Sequence, residues 1–143
     1  MSTAPSSATH SYAQIGIRSE IESATPHRLI QLMMERVLTK IALARGHMER
    51  EGVAEKGMHV SDAIGIIEGL QGSLNHKADE RLAGNFDALY DYMKRRLLEA
   101  NLHNDPARLD EVSTLMRELK EAWDAIADQA AEQAGPAADA ERR

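Results

Sequence analysis

Six histidines and 23 carboxylates are the residues of this 143-residue chain best suited to chemistry. In a helical protein, such residues could build a di-iron carboxylate centre, which needs Glu-x-x-His on each of two helices. The positions three residues before the histidines carry no glutamate; they are Ser7, Ala24, Ala44, Lys56, Ser73 and Ala100. The spacing therefore excludes that centre, and we expect His47 and His59 to be solvated surface residues.

Other catalytic patterns are equally missing from the sequence. There is no cysteine, and neither the G-x-x-x-x-G-K-[ST] phosphate loop nor the Gly-x-Ser-x-Gly nucleophile turn occurs. Asp91, Arg95 and Glu99 stand four residues apart, which favours an ion-pair ladder on a solvated helix face over a catalytic pair. The sequence thus predicts a protein that is not an enzyme and that uses neither a cofactor nor a metal.

The composition of the chain excludes further classes of protein. The net charge of −6 argues against nucleic-acid binding, which needs a basic face to neutralise phosphates. No apolar run approaches the roughly 20 residues of a membrane span, and Met1–Ala8 lacks the features of a signal peptide. We therefore expect a cytoplasmic protein without membrane insertion. The apolar residues are mostly Leu, Ile, Ala and Met, which favours helices over sheet.

The apolar spacing predicts an all-α protein with four helices, at about 26–51, 54–74, 80–102 and 106–129. Thr25 and Pro26 suit the start of the first helix and Gly52 its end, while Asn104 or Asp105 caps a helix that begins at Pro106. Short connections make sequential helices antiparallel, so the expected architecture is an up-and-down four-helix bundle covering residues 12–130. Residues 1–11 and 131–143 are expected to be disordered tails.

Each helix carries an apolar stripe that we expect to face the core. Arg96 borders the stripe of the third helix, so it is expected to bind Asp110 or Glu111 and fix that helix against the fourth. The predicted core comprises Leu29, Ile30, Met33, Met34, Val37, Ile41, Ala44, Met48, Val60, Ala63, Ile64, Ile67, Leu70, Leu74, Phe86, Leu89, Tyr90, Met93, Leu97, Ala100, Leu109, Val112, Leu115, Met116, Leu119, Trp123 and Ile126.

Apolar residues beside these stripes are more numerous than a bundle core needs. They suggest either contacts within the bundle or a surface for a partner. Gly65, Gly69 and Gly72 share one side of the second helix, so another backbone could approach it, either a helix of the same bundle or a bound peptide. The candidate surface patches are Leu32 with Leu43, Ile66 with Leu70, and Tyr92 with Leu98 and Leu102.

Three motifs stand out in the chain: LYDYM-RRL-EAN--ND within Leu89–Asp105, ATPHRLIQLM at Ala24–Met33, and LDEV at Leu109–Val112. Together, and in this arrangement, they resemble the flagellar export chaperone FliS family. The resemblance spans roughly Tyr12 to Trp123. It implies a cytoplasmic chaperone that binds the C-terminal region of flagellin, prevents its premature polymerisation and presents it to the type III export gate without ATP or a cofactor.

The resemblance also implies a role for the N-terminal segment. In the family, such a segment can lie over the surface that the partner uses, which makes Tyr12, Ile15 and Ile17 candidates for a lid. An ordinary strap packed on the bundle is an equally good interpretation. The full set of candidate partner-binding residues is therefore Tyr12, Ile15, Ile17, Leu32, Leu43, Ile66, Leu70, Tyr92, Leu98 and Leu102.

Two alternatives to a flagellin chaperone stay open. One is a helical interaction or regulatory module for another flagellar protein. The other is a self-assembling bundle in which Leu32, Leu43 and Ile66 form a homodimer face. We expect a monomer or a weak homodimer.

Overall fold

The structure is a computed structural model, and it describes the backbone of residues 24–75 and 80–142 and their side chains up to Ile126. This part of the chain contains four α-helices and no strand. They are α1 (Pro26–Glu49), α2 (Val53–Gly72), α3 (Glu80–His103) and α4 (Pro106–Arg142). Within the described residues, no helix has the length and apolar character required to cross a membrane.

The chain divides into two compact units at Ile30, inside α1. In the first unit, the described residues 24–30 form the start of the helix. The Arg28 N–H donates to Thr25 Oγ1 (3.1 Å) and the Leu29 N–H to the Thr25 carbonyl (2.9 Å). Thr25 is therefore the N-cap and Pro26 the first helical residue, as the sequence predicted.

The turn between α1 and α2 uses an unusual residue. Glu51 adopts a left-handed conformation (φ 59°), and the Gly52 N–H donates to the His47 carbonyl at 2.7 Å. The sequence assigned the end of α1 to Gly52, yet Gly52 has φ −82° and acts as the N-cap of α2, without a side-chain capping bond. The left-handed position that glycine suits best is thus occupied by a glutamate.

The turn between α3 and α4 follows its local sequence closely. Asn104 takes the left-handed position (φ 52°), and the Asp105 N–H donates to the Ala100 carbonyl at 3.0 Å. Asp105 Oδ1 accepts the Ala107 N–H at 3.0 Å, so Asp105 is the N-cap and Pro106 the first residue of α4. The predicted cap is confirmed.

Contacts between α1 and α4 show that these helices are antiparallel. Gln31, early in α1, donates to Asp124 Oδ1 in α4 at 2.7 Å. Arg45, near the end of α1, binds Asp110 at the start of α4 through two bonds of 2.7 and 3.0 Å. The order of the contacts is reversed along the two helices.

The helices α2 and α3 are antiparallel as well. Lys56 at the start of α2 donates to the Asn101 carbonyl near the end of α3 (3.1 Å), and Gln71 at the end of α2 donates to Asp87 Oδ1 early in α3 (2.9 Å). Residues 31–126 therefore form the predicted antiparallel up-and-down bundle.

Seventeen of the 27 predicted core residues are buried, and Ala83 joins them. Nine others are only partly buried: Leu29, Ile30, Met33, Ile64, Leu74, Phe86, Leu89, Leu115 and Trp123. The buried apolar residues of the core are Met34, Val37, Ile41, Ala44, Met48, Val60, Ala63, Ile67, Leu70, Ala83, Tyr90, Met93, Leu97, Ala100, Leu109, Val112, Met116 and Leu119. Burial raises the pKa of Tyr90 to about 12, so its phenol stays neutral. Ile126 was assigned to the α4 stripe but is 52% exposed, and it lies beyond Leu119, the last residue of α4 that is buried among those whose side chains are described.

The end of α4 differs from the prediction. The sequence placed the end of the helix near Gln129 and expected disorder after residue 130, whereas α4 continues to Arg142. This stretch is rich in Ala and also contains Glu, Gln and Arg, all strong helix formers. The prediction gave Gly135 and Pro136 too much weight relative to the alanines.

Candidate partner-binding surfaces

The most exposed apolar surface lies on the outer side of α3. Leu98 is 58% exposed and Leu102 is 79% exposed, and the two stand one helical turn apart. Leu98 also lines an open groove between α2 and α3, here called the α2–α3 groove. Its lining residues are Ile64, Glu68, Ala88, Asp91, Lys94, Arg95 and Leu98. The predicted exposure of both leucines is thus observed.

The rim of the α2–α3 groove is charged. Asp91 accepts a bond from Gln71 Nε2 (2.9 Å) and lies 3.5 Å from Lys94 Nζ. The bond from Gln71 contributes most to holding the pKa of Asp91 below its ordinary value, with Lys94 adding to it. An ionised rim beside Ile64 and Leu98 gives the groove the mixed character that suits an amphipathic partner.

The predicted Asp91–Arg95–Glu99 ladder is replaced by other pairs. Asp91 interacts with Lys94, while Glu99 binds Arg96 (2.8 Å) and lies 3.4 Å from Arg108. The helix is packed on both sides, so its charges pair with residues of α2 and α4 as well as along α3.

Tyr92 does not share a surface with Leu98 and Leu102, contrary to the predicted patch. Its hydroxyl donates to the carboxylate of Glu111 on α4, with oxygen–oxygen distances of 3.0 and 3.1 Å. This bond is the main cause of the raised pKa of Tyr92. Six residues of an α-helix correspond to about 240° of rotation, so Tyr92 faces α4 when Leu98 faces outward.

Arg96 joins α3 to α4 at the same place. Its Nε donates to Glu111 Oε1 at 2.6 Å, and its second arm binds Glu99. The bond from Arg96 is also the largest cause of the lowered pKa of Glu111. The predicted tie between Arg96 and Glu111 is confirmed. We call the set Tyr92, Arg96, Glu99, Arg108 and Glu111 the α3–α4 seam.

A second groove lies between α1 and α2, here called the α1–α2 groove. Its lining residues are Arg36, Lys40, Ser61, Asp62, Gly65 and Ile66. Lys40 and Asp62 span it with an ion pair of 3.0 Å. Of the predicted patch residues, Ile66 lines the groove and is half-buried, Leu32 is half-buried, and Leu43 is 40% exposed.

The glycines of α2 are only partly covered by the bundle. Within the part of the chain that the structure describes, a Cβ added at Gly65 or Gly72 would meet no atom within 4 Å, whereas one at Gly69 would lie 2.9 Å from the Met33 methyl group. The sequence left two interpretations, a neighbouring helix or a bound peptide. Among the described residues, Gly69 is the one of these three glycines that has a neighbour from another helix, so the described bundle leaves the other two positions open to a partner.

Leu70 is the predicted site residue that the structure places elsewhere. It is 1% exposed and packs in the core with the rest of the α2 stripe. The three-residue spacing from Ile67 explains this position, so its assignment to a surface patch with Ile66 is wrong. Tyr12, Ile15 and Ile17 lie outside the described residues, so the lid stays a prediction.

Lys56 is a buried cation to which sequence reasoning assigned no role. It is 6% exposed, and its ammonium donates to the Asn101 carbonyl and to Asn104 Oδ1, both at 3.1 Å. These acceptors lie at the C-terminal end of α3, where carbonyls lack helical partners. The burial of Lys56 could have been predicted from its spacing of four residues to Val60 and seven to Ala63, because this spacing places the lysine on the core stripe of α2.

The two histidines expected on the surface are partly buried. His47 and His59 stack with their ring centres 5.4 Å apart and their planes 19° from parallel. Burial, with Lys40 and then His47 nearby, lowers the pKa of His59, so its neutral form is favoured. No cluster of His, Cys, Asp and Glu in the described residues has the arrangement of a metal site.

Three further large apolar side chains of the described residues are exposed, and sequence reasoning assigned none of them to a partner surface. Val53, Met58 and Leu82 are each more than half exposed. They fall off the core stripes singly, and isolated apolar residues of this kind are ordinary on protein surfaces.

Comparison with known proteins gives one consistent family. The sequence model of the flagellar protein FliS family matches residues 8–130. The flagellar secretion chaperone FliSB of Pseudomonas aeruginosa is 51% identical over 115 residues, covering 80% of this chain and 91% of the relative. The FliS chaperones of Escherichia coli (42% identity, 80% and 85%) and Salmonella typhimurium (40%, 83% and 89%) are also similar.

Proposed function

Because the chain belongs to the flagellar protein FliS family, we propose that it binds the C-terminal region of flagellin in the cytoplasm. It keeps flagellin from polymerising too early and presents it to the flagellar type III export apparatus. The matching relatives are flagellar secretion chaperones, which supports the export role. Binding is stoichiometric and involves neither catalysis, ATP nor a cofactor.

The main observation in support of this proposal is that two leucines of α3 are exposed at or near the α2–α3 groove, although the core of the bundle is packed. Leu98 and Leu102 lie outside a core already filled by Met93 and Leu97. An amphipathic chain segment that has not yet reached its filament needs an apolar surface for its own apolar face. A helix laid along a groove is a common way to provide one. Burying one leucine contributes about 1.5–3 kcal/mol to such a contact.

Apolar surface on both sides of α2 supports a long partner segment. The α1–α2 groove carries Ile66 and the α2–α3 groove carries Ile64 and Leu98. Ordering a disordered segment costs about 2–5 kcal/mol, so an extended contact is needed to offset it. Two shallow grooves suit that requirement better than one enclosed pocket.

Leu98→Asp tests the proposal in calorimetric titration with a flagellin C-terminal peptide. The affinity is expected to fall by about 10-fold or more, since an apolar contact is replaced by a charge that must lose water. Helicity and melting should stay near those of the wild type, because Leu98 is mostly exposed. Leu82→Asp is the matched control, as Leu82 is exposed at the other end of α3.

Four outcomes would count against the proposal. If the wild-type chain does not bind the peptide, flagellin is not the client. If Leu98→Asp binds as tightly as the wild type, α3 is not part of the site. If light scattering shows a dimer that the peptide does not perturb, self-assembly is favoured instead. A pull-down from flagellated cells in which another flagellar protein dominates would favour the regulatory alternative.

A further inference from the structure

Arg36 is an exposed cation at the wall of the α1–α2 groove. On α1 it follows Leu32 by four residues and precedes Leu43 by seven, so the three side chains share one outer stripe. In the described part of the chain, Arg36 makes no ion pair. Its neighbour Lys40, in contrast, is 3.0 Å from Asp62. The charge of Lys40 is therefore balanced within the bundle and the charge of Arg36 is not.

The opposite wall of the groove leaves space for a chain. No atom of the described residues lies within 4 Å of the position that a Cβ on Gly65 would take, and the half-buried Ile66 follows it. A partner backbone can therefore lie close to α2 while its side chains reach the stripe on α1. A partner would therefore meet the guanidinium of Arg36 between two leucines on α1. On the α2 side it would meet Ile66 and the backbone at Gly65.

We propose that the α1–α2 groove binds an amphipathic segment of flagellin's C-terminal region through a carboxylate that pairs with Arg36, flanked by apolar residues that cover Leu32, Leu43 and Ile66. This inference rests on the proposed function and adds a charge requirement to it. A guanidinium stays charged at any working pH and binds a carboxylate through two parallel bonds. Because the chain carries a net charge of −6, a local cation such as Arg36 is needed to attract a carboxylate to this groove.

Titration of the flagellin C-terminal peptide against two Arg36 variants tests the inference. Arg36→Gln should weaken binding by about 2- to 5-fold, the range of an exposed ion pair, and should make the affinity less sensitive to salt. Arg36→Glu should weaken it by about 10-fold or more, because repulsion replaces attraction. Arg81→Glu is the matched control: it makes the same charge change on exposed α3, outside both grooves, and should leave the affinity within about 2-fold of the wild type.

A charge exchange identifies the partner group. Each acidic residue of the peptide is replaced in turn by lysine and titrated against Arg36→Glu. One replacement should restore most of the lost affinity, while the same peptide should bind the wild type less tightly. If no replacement restores binding, the direct pairing is wrong.

The results separate this inference from the proposed function. A peptide that binds the wild type and Arg36→Glu equally well overturns the role of Arg36 and leaves flagellin binding intact. A peptide that does not bind the wild type overturns both. An equal loss for Arg36→Glu and Arg81→Glu would show a general charge effect and would also overturn the specific pairing.

Discussion

The two helical hairpins of this bundle differ in how well the residues of their turns suit the turn conformation. In the α3–α4 hairpin, Asn104 suits its left-handed position, and Asp105 caps α4 with a side-chain bond. In the α1–α2 hairpin, Glu51 occupies the left-handed position, and Gly52 starts α2 without such a bond. The difference shows that the sequence specifies the α3–α4 turn locally, whereas the α1–α2 turn depends on the packing around it.

The helices show the same contrast. The α3–α4 seam is closed by charged bonds between Arg96, Glu99, Arg108 and Glu111. The outer side of α2 instead presents Gly65 to open space. The seam side of α3 is therefore bonded to α4, whereas the outer side of α2 leaves room for a partner. Four predictions test this division, from the largest expected effect to the smallest.

Neighbouring leucines of α3 should separate the closed interior from the open surface. Leu97 is fully buried and Leu98 is mostly exposed. Leu97→Ala should lower the free energy of unfolding by about 3 kcal/mol, because it leaves a cavity. Leu98→Ala should change it by less than about 0.5 kcal/mol. Urea unfolding measures both, and equal effects would contradict the assignment of Leu98 to the surface.

The two turns should respond to substitution in opposite directions. Asn104→Ala should lower the free energy of unfolding by about 2 kcal/mol, because it places alanine in a left-handed conformation and removes an acceptor of the buried Lys56. Glu51→Gly should raise it by about 1 kcal/mol, since glycine adopts that conformation without strain. Thermal and urea unfolding would show this. A destabilised Glu51→Gly variant would mean that the α1–α2 turn is not strained.

Gly65→Ala should separate stability from binding. Alanine in an exposed helix interior raises the free energy of unfolding by about 0.5–1 kcal/mol, and nothing in the bundle obstructs its methyl group. If a partner lies over Gly65, the same methyl group should weaken binding of the flagellin peptide. Gly84→Ala on α3 is the control, because its position is equally open. It should stabilise the chain without affecting binding, and equal binding by both variants would contradict a partner at Gly65.

The α3–α4 seam should give the chain an acid-sensitive stability component. The bond from Arg96 holds the pKa of Glu111 below its ordinary 4.5, so the unfolded state binds this proton more readily. The stabilisation is therefore present above about pH 4.5 and is lost as the pH falls through the folded-state pKa. Glu111→Gln should flatten the decrease of unfolding free energy between pH 5 and 3, as measured by urea unfolding. Glu118→Gln, an exposed change on α4, should keep the wild-type slope, and a wild-type slope for Glu111→Gln would contradict the seam's role.

Much of the bundle was predictable because helical periodicity is a local property. The starts of α1 and α4 follow from Thr25 with Pro26 and from Asp105 with Pro106. The partner of Arg96 was predictable as well, because a tight turn brings the start of α4 back beside the end of α3. The continuation of α4 past Gln129 was missed, since propensity and helix-breaking residues pointed in opposite directions there.

The candidate surfaces were predictable only in part. Leu98 and Leu102 lie off the core stripe, and their exposure followed from that alone. Tyr92 was grouped with them because spacing along one helix does not show which neighbour each side faces. The open position of Gly65 depends on where α1 and α2 meet, which no local pattern encodes. The same holds for Arg36, which has no ion-pair partner among the described residues.

The sequence by itself determined four amphipathic helices, their order and direction, and the family to which the chain belongs. Periodicity and capping act within a few residues, so they can be read from the chain without its fold. The tertiary structure alone decided which leftover apolar and charged side chains were covered. It paired Lys40 with Asp62, turned Tyr92 toward Glu111 and left Arg36 exposed, because each of these outcomes depends on the neighbouring helix.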